Sequence, residues 1–335
     1  MHEYETGITV GENAWHSLDT NVDPSTLPMR NGVPYLSTER TIEISKLGWG
    51  VSVRPLFLSG DELEADENNP KRFLLGEKHP KAYAIVRDSD GAILGFCGPD
   101  WTALQNREAF GSVNSYIEDG SLSWESCCSL KGGALVSLLA RIHLDEPAEV
   151  VPGDRILPYV LISNYHTGSD AAEIQITATR VVCANTHRVA KSAAARGAEP
   201  RLRLTHRKNI VATLEESVSM IDFARSTFLA TVEQYRRLAG VSISKDDLVG
   251  YVKRVFDVDA ESVKMPRAWE KIEHNAKDGR GSDFSRDTLW GAFNAVTEWV
   301  DHDRGKAENR LYAATFDAGA ALKERAFDLA VQLAE

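Results

Sequence analysis

The chain has 335 residues, of which 43% are hydrophobic and 26% charged, a globular balance that excludes a mostly disordered, fibrous or membrane-embedded protein and leaves room for one large or two ordinary domains. No apolar run approaches the roughly 18 to 20 residues of a bilayer helix, and the first five residues lack the basic-then-apolar order of a secretory signal, so no membrane contact and a cytoplasmic setting are expected. A net charge of −11, averaged over the surface, would repel nucleic acid and anionic lipid.

Residues 1–60 are punctuated by Gly and Pro and read as an arm leading to a strand near Gly50–Phe57. Two apolar runs, 82–86 and 92–96, flank Asp88-Ser89-Asp90-Gly91 and predict a hairpin. A helix is expected over 102–117, where Leu104, Ala109, Phe110, Val113 and Ile117 recur at near-helical spacing. Strands follow at 122–130, 134–143, 156–165 and 173–182. In the last of these, Ile174, Ile176 and Ala178 alternate with Gln175, Thr177 and Thr179, which predicts a sheet with one wet face. The small and polar stretch 184–195 reads as a helix ended by Gly197.

Beyond Arg207 the period turns helical. Val211, Leu214, Val218, Ile221, Phe228, Val232 and Tyr235 make a long stripe, read as intrachain packing with a contact between subunits as the alternative. Thr213 and Glu216 fit a capping box, and so do Ser244 and Asp247. Residues 274–285 suggest a loop, and two further helices are centred on 289–300 and 322–333. The expected class is α+β: an antiparallel sheet packed by helices over residues 1–205, then a mostly helical region over 206–335.

The charge is unevenly spread. Between Arg180 and Lys208 stand Arg180, Arg188, Lys191, Arg196, Arg201, Arg203, Arg207 and Lys208 against one acid, Glu199, so this stretch carries +7 and the remainder −18. Such an island is either a solvated face balanced by acids elsewhere or a strip that contacts phosphates. Asn185 and His187 add neutral donors, and Lys131 beside Gly132-Gly133 can hold a phosphate on a tight turn. If the strand ends at His166–Ser169 and Arg180–Asn185 lie together, donors cluster at one edge of the sheet.

Other chemistry finds less support. The sequence holds no P-loop and no dinucleotide fingerprint. Four cysteines without even spacing suit a reducing compartment, and Cys127 and Cys128 would point to opposite faces of a strand, so no metal and no cofactor are expected. A nucleophile at Cys183 with His166 or His187 lacks a motif that fixes a base. An enzyme is therefore the less favoured expectation.

Six ordered blocks carry a resemblance: Trp15-His16-Ser17-Leu18; Leu104-Gln105-Asn106-Arg107-Glu108-Ala109-Phe110; Ser129-Leu130-Lys131-Gly132-Gly133; Ser163-Asn164-Tyr165-His166-Thr167-Gly168-Ser169; Arg180-Val181-Val182-Cys183-Ala184-Asn185-Thr186; and Asn294 through His302. With them the chain resembles the phage/plasmid-like protein family, whose domain is of unknown function. Thr167 departs from the aspartate usual there, and His187 from an apolar residue. The resemblance implies a phage, prophage or plasmid context. The order of elements is also similar in outline to single-strand annealing recombinases, which implies a homo-oligomer that holds single-stranded nucleic acid by its backbone. The alternative expectation is a non-enzymatic protein-binding accessory factor in phage replication or host-defence antagonism. An unfamiliar enzyme site around His166, Arg180 and Cys183 is a third.

Overall fold

A computed structural model of the protein describes residues 4–10, 20–63, 72–180, 185–188, 201–218, 220–305 and 307–335. It begins with β1 (Tyr4–Val10), β2 (Thr20–Val22), the short pair β3 (Met29–Arg30) and β4 (Val33–Pro34), and helix α1 (Thr38–Ser45), whose Ser37 cap accepts the amide of Arg40. β5 (Val51–Leu63), β6 (Arg72–Arg87) and β7 (Ile93–Cys97) then form a three-stranded antiparallel sheet. The expected Asp-Gly turn joins β6 to β7, and Arg87 pairs with Asp90 within it. Where one helix was expected over 102–117 there are two, α2 (Asn106–Gly111) and α3 (Asn114–Glu118). The chain breaks at Val113 (φ −105°), and Phe110, Val113 and Ile117 all remain buried.

The main sheet is built on β8 (Leu122–Leu130), β9 (Leu135–Ile142), β11 (Arg155–Tyr165) and β12 (Ala172–Arg180), with short β10 (Ala148–Glu149) against β11. β13 (Asn185–Arg188) and β14 (Arg201–Leu204) both pair with β12, on the side away from β11. The order is β13–β12–β11–β9–β8–β1–β2, with β14 further along the β13 edge. The helix expected over 184–195 is thus a strand at residues 185–188, because Asn185–Arg188 completes a ladder with Thr177–Arg180. Residues 189–195 lie outside the described residues.

The C-terminal region holds α4 (Ile210–Val218), α5 (Met220–Gly240), α6 (Lys245–Val255), α7 (Trp269–Asp278), α8 (Leu289–Glu298), α9 (Ala307–Phe316) and α10 (Ala318–Ala334). A π-helical turn, Trp299–Asp303, follows α8. Ser244 and Asp247 form the expected capping box of α6. Thr213 does not cap: α4 starts at Ile210, and the Thr213 hydroxyl donates to the Asn209 carbonyl inside the helix. The expected loop from residue 274 is helical as far as Asp278, since α7 buries Ile272 and Asn275. Among the described residues no helix is long and apolar enough to cross a membrane.

One core runs through both regions. Trp124, Cys127, Val160, Ile174 and Ile176 on one face of the sheet belong to the same cluster as Leu214, Ile221, Phe228, Tyr235, Trp290 and Phe327. The stripe on α4 and α5 is therefore intrachain packing. The indole N–H of Trp290 donates to Asp154, fully buried before β11, at 2.9 Å. The other face is not wet: Gln175, Thr177 and Thr179 are 2%, 1% and 6% exposed. Neighbouring Leu139, Tyr159 and Leu161 form a second cluster against which Tyr312 and Phe316 of α9 pack. Cys127 and Cys128 fall to opposite faces, one in each cluster.

Candidate nucleic-acid interface

The fold lays the basic island along one edge of the main sheet. Arg180 closes β12 opposite Asn185, with Ala178 opposite His187 and Thr177 opposite Arg188. Toward the other end, Gln175 faces Arg201 and Glu173 faces Arg203. Arg207 and Lys208 follow β14 and are exposed. At about 3.4 Å per residue, β12 carries this edge over roughly 27 Å. Lys191, Arg196 and Cys183 lie outside the described residues.

Antiparallel pairing separates two groups that the sequence suggested would meet. Ile156 pairs with Arg180 and Ser163 with Glu173, so the His166–Ser169 turn sits at one end of β12 and Arg180–Asn185 at the other. Donors from the two corners do not converge. Lys131 stands at the same end as His166, whose amide donates to the carbonyl of Ala134, and its ammonium lies 3.4 Å from the centroid of the Tyr312 ring.

The strip is not uniformly free. The Arg201 guanidinium makes two hydrogen bonds to the buried carboxylate of Glu173, at 2.6 and 3.1 Å, and Arg203 pairs with the same carboxylate at 3.2 Å. Two cations therefore share one anion, and this step of the strip presents a single net charge. Arg207 meets Asp100 at 3.4 Å, but both side chains are more than half exposed, a setting in which a pair contributes about 0–1 kcal/mol. Arg207 therefore remains able to exchange its partner for a phosphate.

The strip ends at a junction between the two sheets. Asn106 at the start of α2 donates to the carbonyls of Leu47 and Trp49 and accepts from Asn164 and from His166 Nε2, the latter at 3.0 Å. Asn164 also donates to Leu104 O. Two of the blocks picked out in the sequence thus meet here, and their polar residues hold the corner. Because Asn106 Oδ1 can only accept, His166 carries its proton on Nε2 and leaves Nδ1 as a buried lone pair without a donor. His206 is arranged in mirror fashion: Nδ1 donates to the Thr102 carbonyl, and the buried Nε2 has no partner.

Beside this corner a cavity of about 370 Å³ opens, lined by Trp101, His206, Arg207, Asp100 and the Gly168–Ala171 turn. Trp101 stacks on His206 with ring centroids 4.7 Å apart, and its indole N–H is also without a partner. The cavity thus combines an aromatic stack with a cation at its rim, while the unpartnered Trp101 Nε1 and His206 Nε2 are themselves buried. That set suits a planar group attached to an anion. Among the described residues, no cluster of three or more His, Cys, Asp or Glu has the arrangement of a metal site.

Burial pushes the pKa of His166 down to about 3, helped by the nearby His206, which is itself lowered by burial. The folded protein therefore keeps both rings neutral while the unfolded chain takes up protons below about 6.5. The folded-state pKa lies below the unfolded one, so stability is complete above pH 6.5 and falls as the pH drops toward 3. For His166 the loss between pH 7.5 and 5 is about 2 kcal/mol. Urea midpoints at the two pH values should differ accordingly; equal midpoints would contradict the burial of a neutral ring.

The sequence reading missed Trp101 and His206. His206 precedes the last two cations of the island and Trp101 follows Gly98-Pro99-Asp100, so an aromatic next to a turn and a histidine next to two cations were the available signals. Residues 93–326, more than two thirds of the chain, match a family described as a domain of unknown function, and Trp101, Asn106, Asn164, His166, His206 and Arg207 lie inside that segment, whereas Leu47 and Trp49 lie outside it. No curated protein and no solved structure matches the chain.

Proposed function

The chain belongs to the family described as "Domain of unknown function (DUF932)", and from the cavity at the end of the basic edge, which lies inside the matched segment, we propose that it is a single-stranded nucleic-acid-binding protein of phage or plasmid origin. It would promote annealing as a cytoplasmic homo-oligomer without hydrolysing nucleotide. One observation carries the reading: the basic sheet edge ends where Trp101 stacks on His206 with Arg207 at the rim. A cationic track that follows a backbone and an aromatic ring that receives a base are the two parts that sequence-tolerant single-strand binding needs.

The test is the salt dependence of binding to a fluorescent single-stranded oligonucleotide. For single strands the slope of log K against log salt is about −0.7 per neutralised phosphate, so joint replacement of Arg207 and Lys208 by Gln should flatten it by about 1.4. Trp101→Leu should weaken binding at every salt concentration by about 5- to 150-fold, the range for one stacked base. Trp101→Phe, which keeps a ring over His206, should retain most of the affinity. A salt-independent affinity, or a double variant with an unchanged slope, would remove the proposal. A protein partner is the second reading, favoured by Ile93 and Phe96 on β7, which are 58% and 60% exposed.

A further inference from the structure

A second cavity, of about 240 Å³, lies at the opposite side of the sheet, where β8 and β9 meet the N-terminal arm. Its walls are apolar, from Val10, Leu27, Leu36 and Trp124, and its polar groups are Ser123, Glu125, Arg141 and His143. We infer that this cavity binds a small apolar monocarboxylic acid, with Arg141 as the carboxylate receptor and the arm residues as the enclosure of the apolar body.

Arg141 motivates the assignment. It is half-buried on β9 between Ser123 on β8 and Tyr159 on β11, and its Nε is buried without an acceptor. No ion pair joins it to a carboxylate among the described residues. A guanidinium held this way in an apolar enclosure carries an unmet desolvation cost, and its planar fork matches a carboxylate with two parallel hydrogen bonds. Size limits the occupant, since the cavity lies below the roughly 300–1,000 Å³ of sites for drug-sized ligands.

Its neighbours set the charge. Glu125 accepts from the Tyr159 hydroxyl at 3.5 Å and places one negative group on the same wall. His143 contacts Ser123 Oγ through Nε2 at 2.9 Å, and burial together with Arg141 and Arg225 pushes its pKa down to about 4, so it adds no positive charge near neutrality. Arg141 and Glu125 cancel in net charge, so a carboxylate is held through the directed hydrogen bonds of the guanidinium rather than by a surplus of positive charge, and a phosphate dianion is disfavoured more strongly than a monoanion. Ser123 supplies a hydroxyl next to the guanidinium.

Calorimetric titration of the full chain with phenylacetate tests this, with phenylacetamide and phenyl phosphate as comparisons. Phenylacetate should saturate with a dissociation constant of about 1 mM or lower, and both comparison compounds should bind at least about tenfold more weakly. Arg141→Gln should weaken phenylacetate by about tenfold or more, and Arg141→Lys, which keeps the charge but loses the fork, should also bind more weakly. Leu36→Trp should block the cavity with Arg141 intact. Because the acid and amide are compared on the unmutated chain, the outcome does not depend on how well a variant folds. Equal binding of acid and amide, tighter binding of phenyl phosphate, or no saturation up to about 10 mM would overturn the assignment.

Discussion

Replacing Gly168 by alanine should lower the stability of the protein by about 3 kcal/mol or more, a loss read from the urea midpoint. Two costs combine. Gly168 has φ +85°, where a side chain is strained by about 1 kcal/mol. Its added Cβ would also lie 2.0 Å from the carbonyl oxygen of Phe96 and 2.7 Å from the carbonyl carbon, and backbone atoms on an established strand cannot swing aside. The contact is reciprocal, since a Cβ on Gly95 would meet the Thr167 carbonyl oxygen at 2.3 Å. β7 and the turn after β11 therefore touch backbone to backbone, and a methyl group on either side has to separate the two sheets. Gly91→Ala is the control: its φ is +76° but nothing lies within 4 Å, so it should show the conformational cost alone. Equal losses for the two variants would show that the sheets are not locked together at this point. Because Gly168 also lines the cavity beside Trp101, oligonucleotide affinity should fall with it.

Asn106→Ala should cost about 4 kcal/mol for a different reason. The side chain is 1% exposed and uses its full hydrogen-bonding capacity, with two donor bonds to main-chain carbonyls and two accepted bonds from Asn164 and His166. Truncation leaves the Leu47 and Trp49 carbonyls and the His166 Nε2 proton without these partners, and each buried group left unmet costs about 1–3 kcal/mol. Asn106→Asp separates hydrogen bonding from volume. It keeps the shape but cannot donate to either carbonyl, so it should be nearly as damaging near neutral pH. Chemical denaturation of both variants checks this, and a mild Asn106→Asp would mean that packing rather than polarity dominates the corner.

The strands of the main sheet were legible because they announce themselves locally. Strand-like stretches broken at Gly132-Gly133 and at the turn around Ser169 and Asp170, with a period of two in the last of them, place β8, β9, β11 and β12 to within one or two residues. Asn185–Arg188 misled because its Ala-rich surroundings suit a helix, while its ladder with β12 is a tertiary fact. Gln175, Thr177 and Thr179 misled because alternation shows which residues share a face but not whether another layer covers that face.

The candidate interface was legible as a position in the chain but not as an electrostatic object. Counting cations located the strip, whereas the cancelling of one of the two charges of Arg201 and Arg203 depends on the register that sets Glu173 opposite Arg203. The proposed meeting of the His166 and Arg180 corners failed on strand direction alone. His166 was singled out as chemistry and proved to be part of a buried joint. Trp101 and His206, 105 positions apart, become a stack only when the loop after β7 folds against the chain leaving β14.

The buried bond between Asp154 and Trp290 bears on how such a chain can change over evolutionary time. A recombination event that swapped the helical half for one without an indole at this position would leave the buried Asp154 carboxylate without this donor. Mosaic genes cut between these two positions should therefore yield insoluble products far more often than genes cut within the arm.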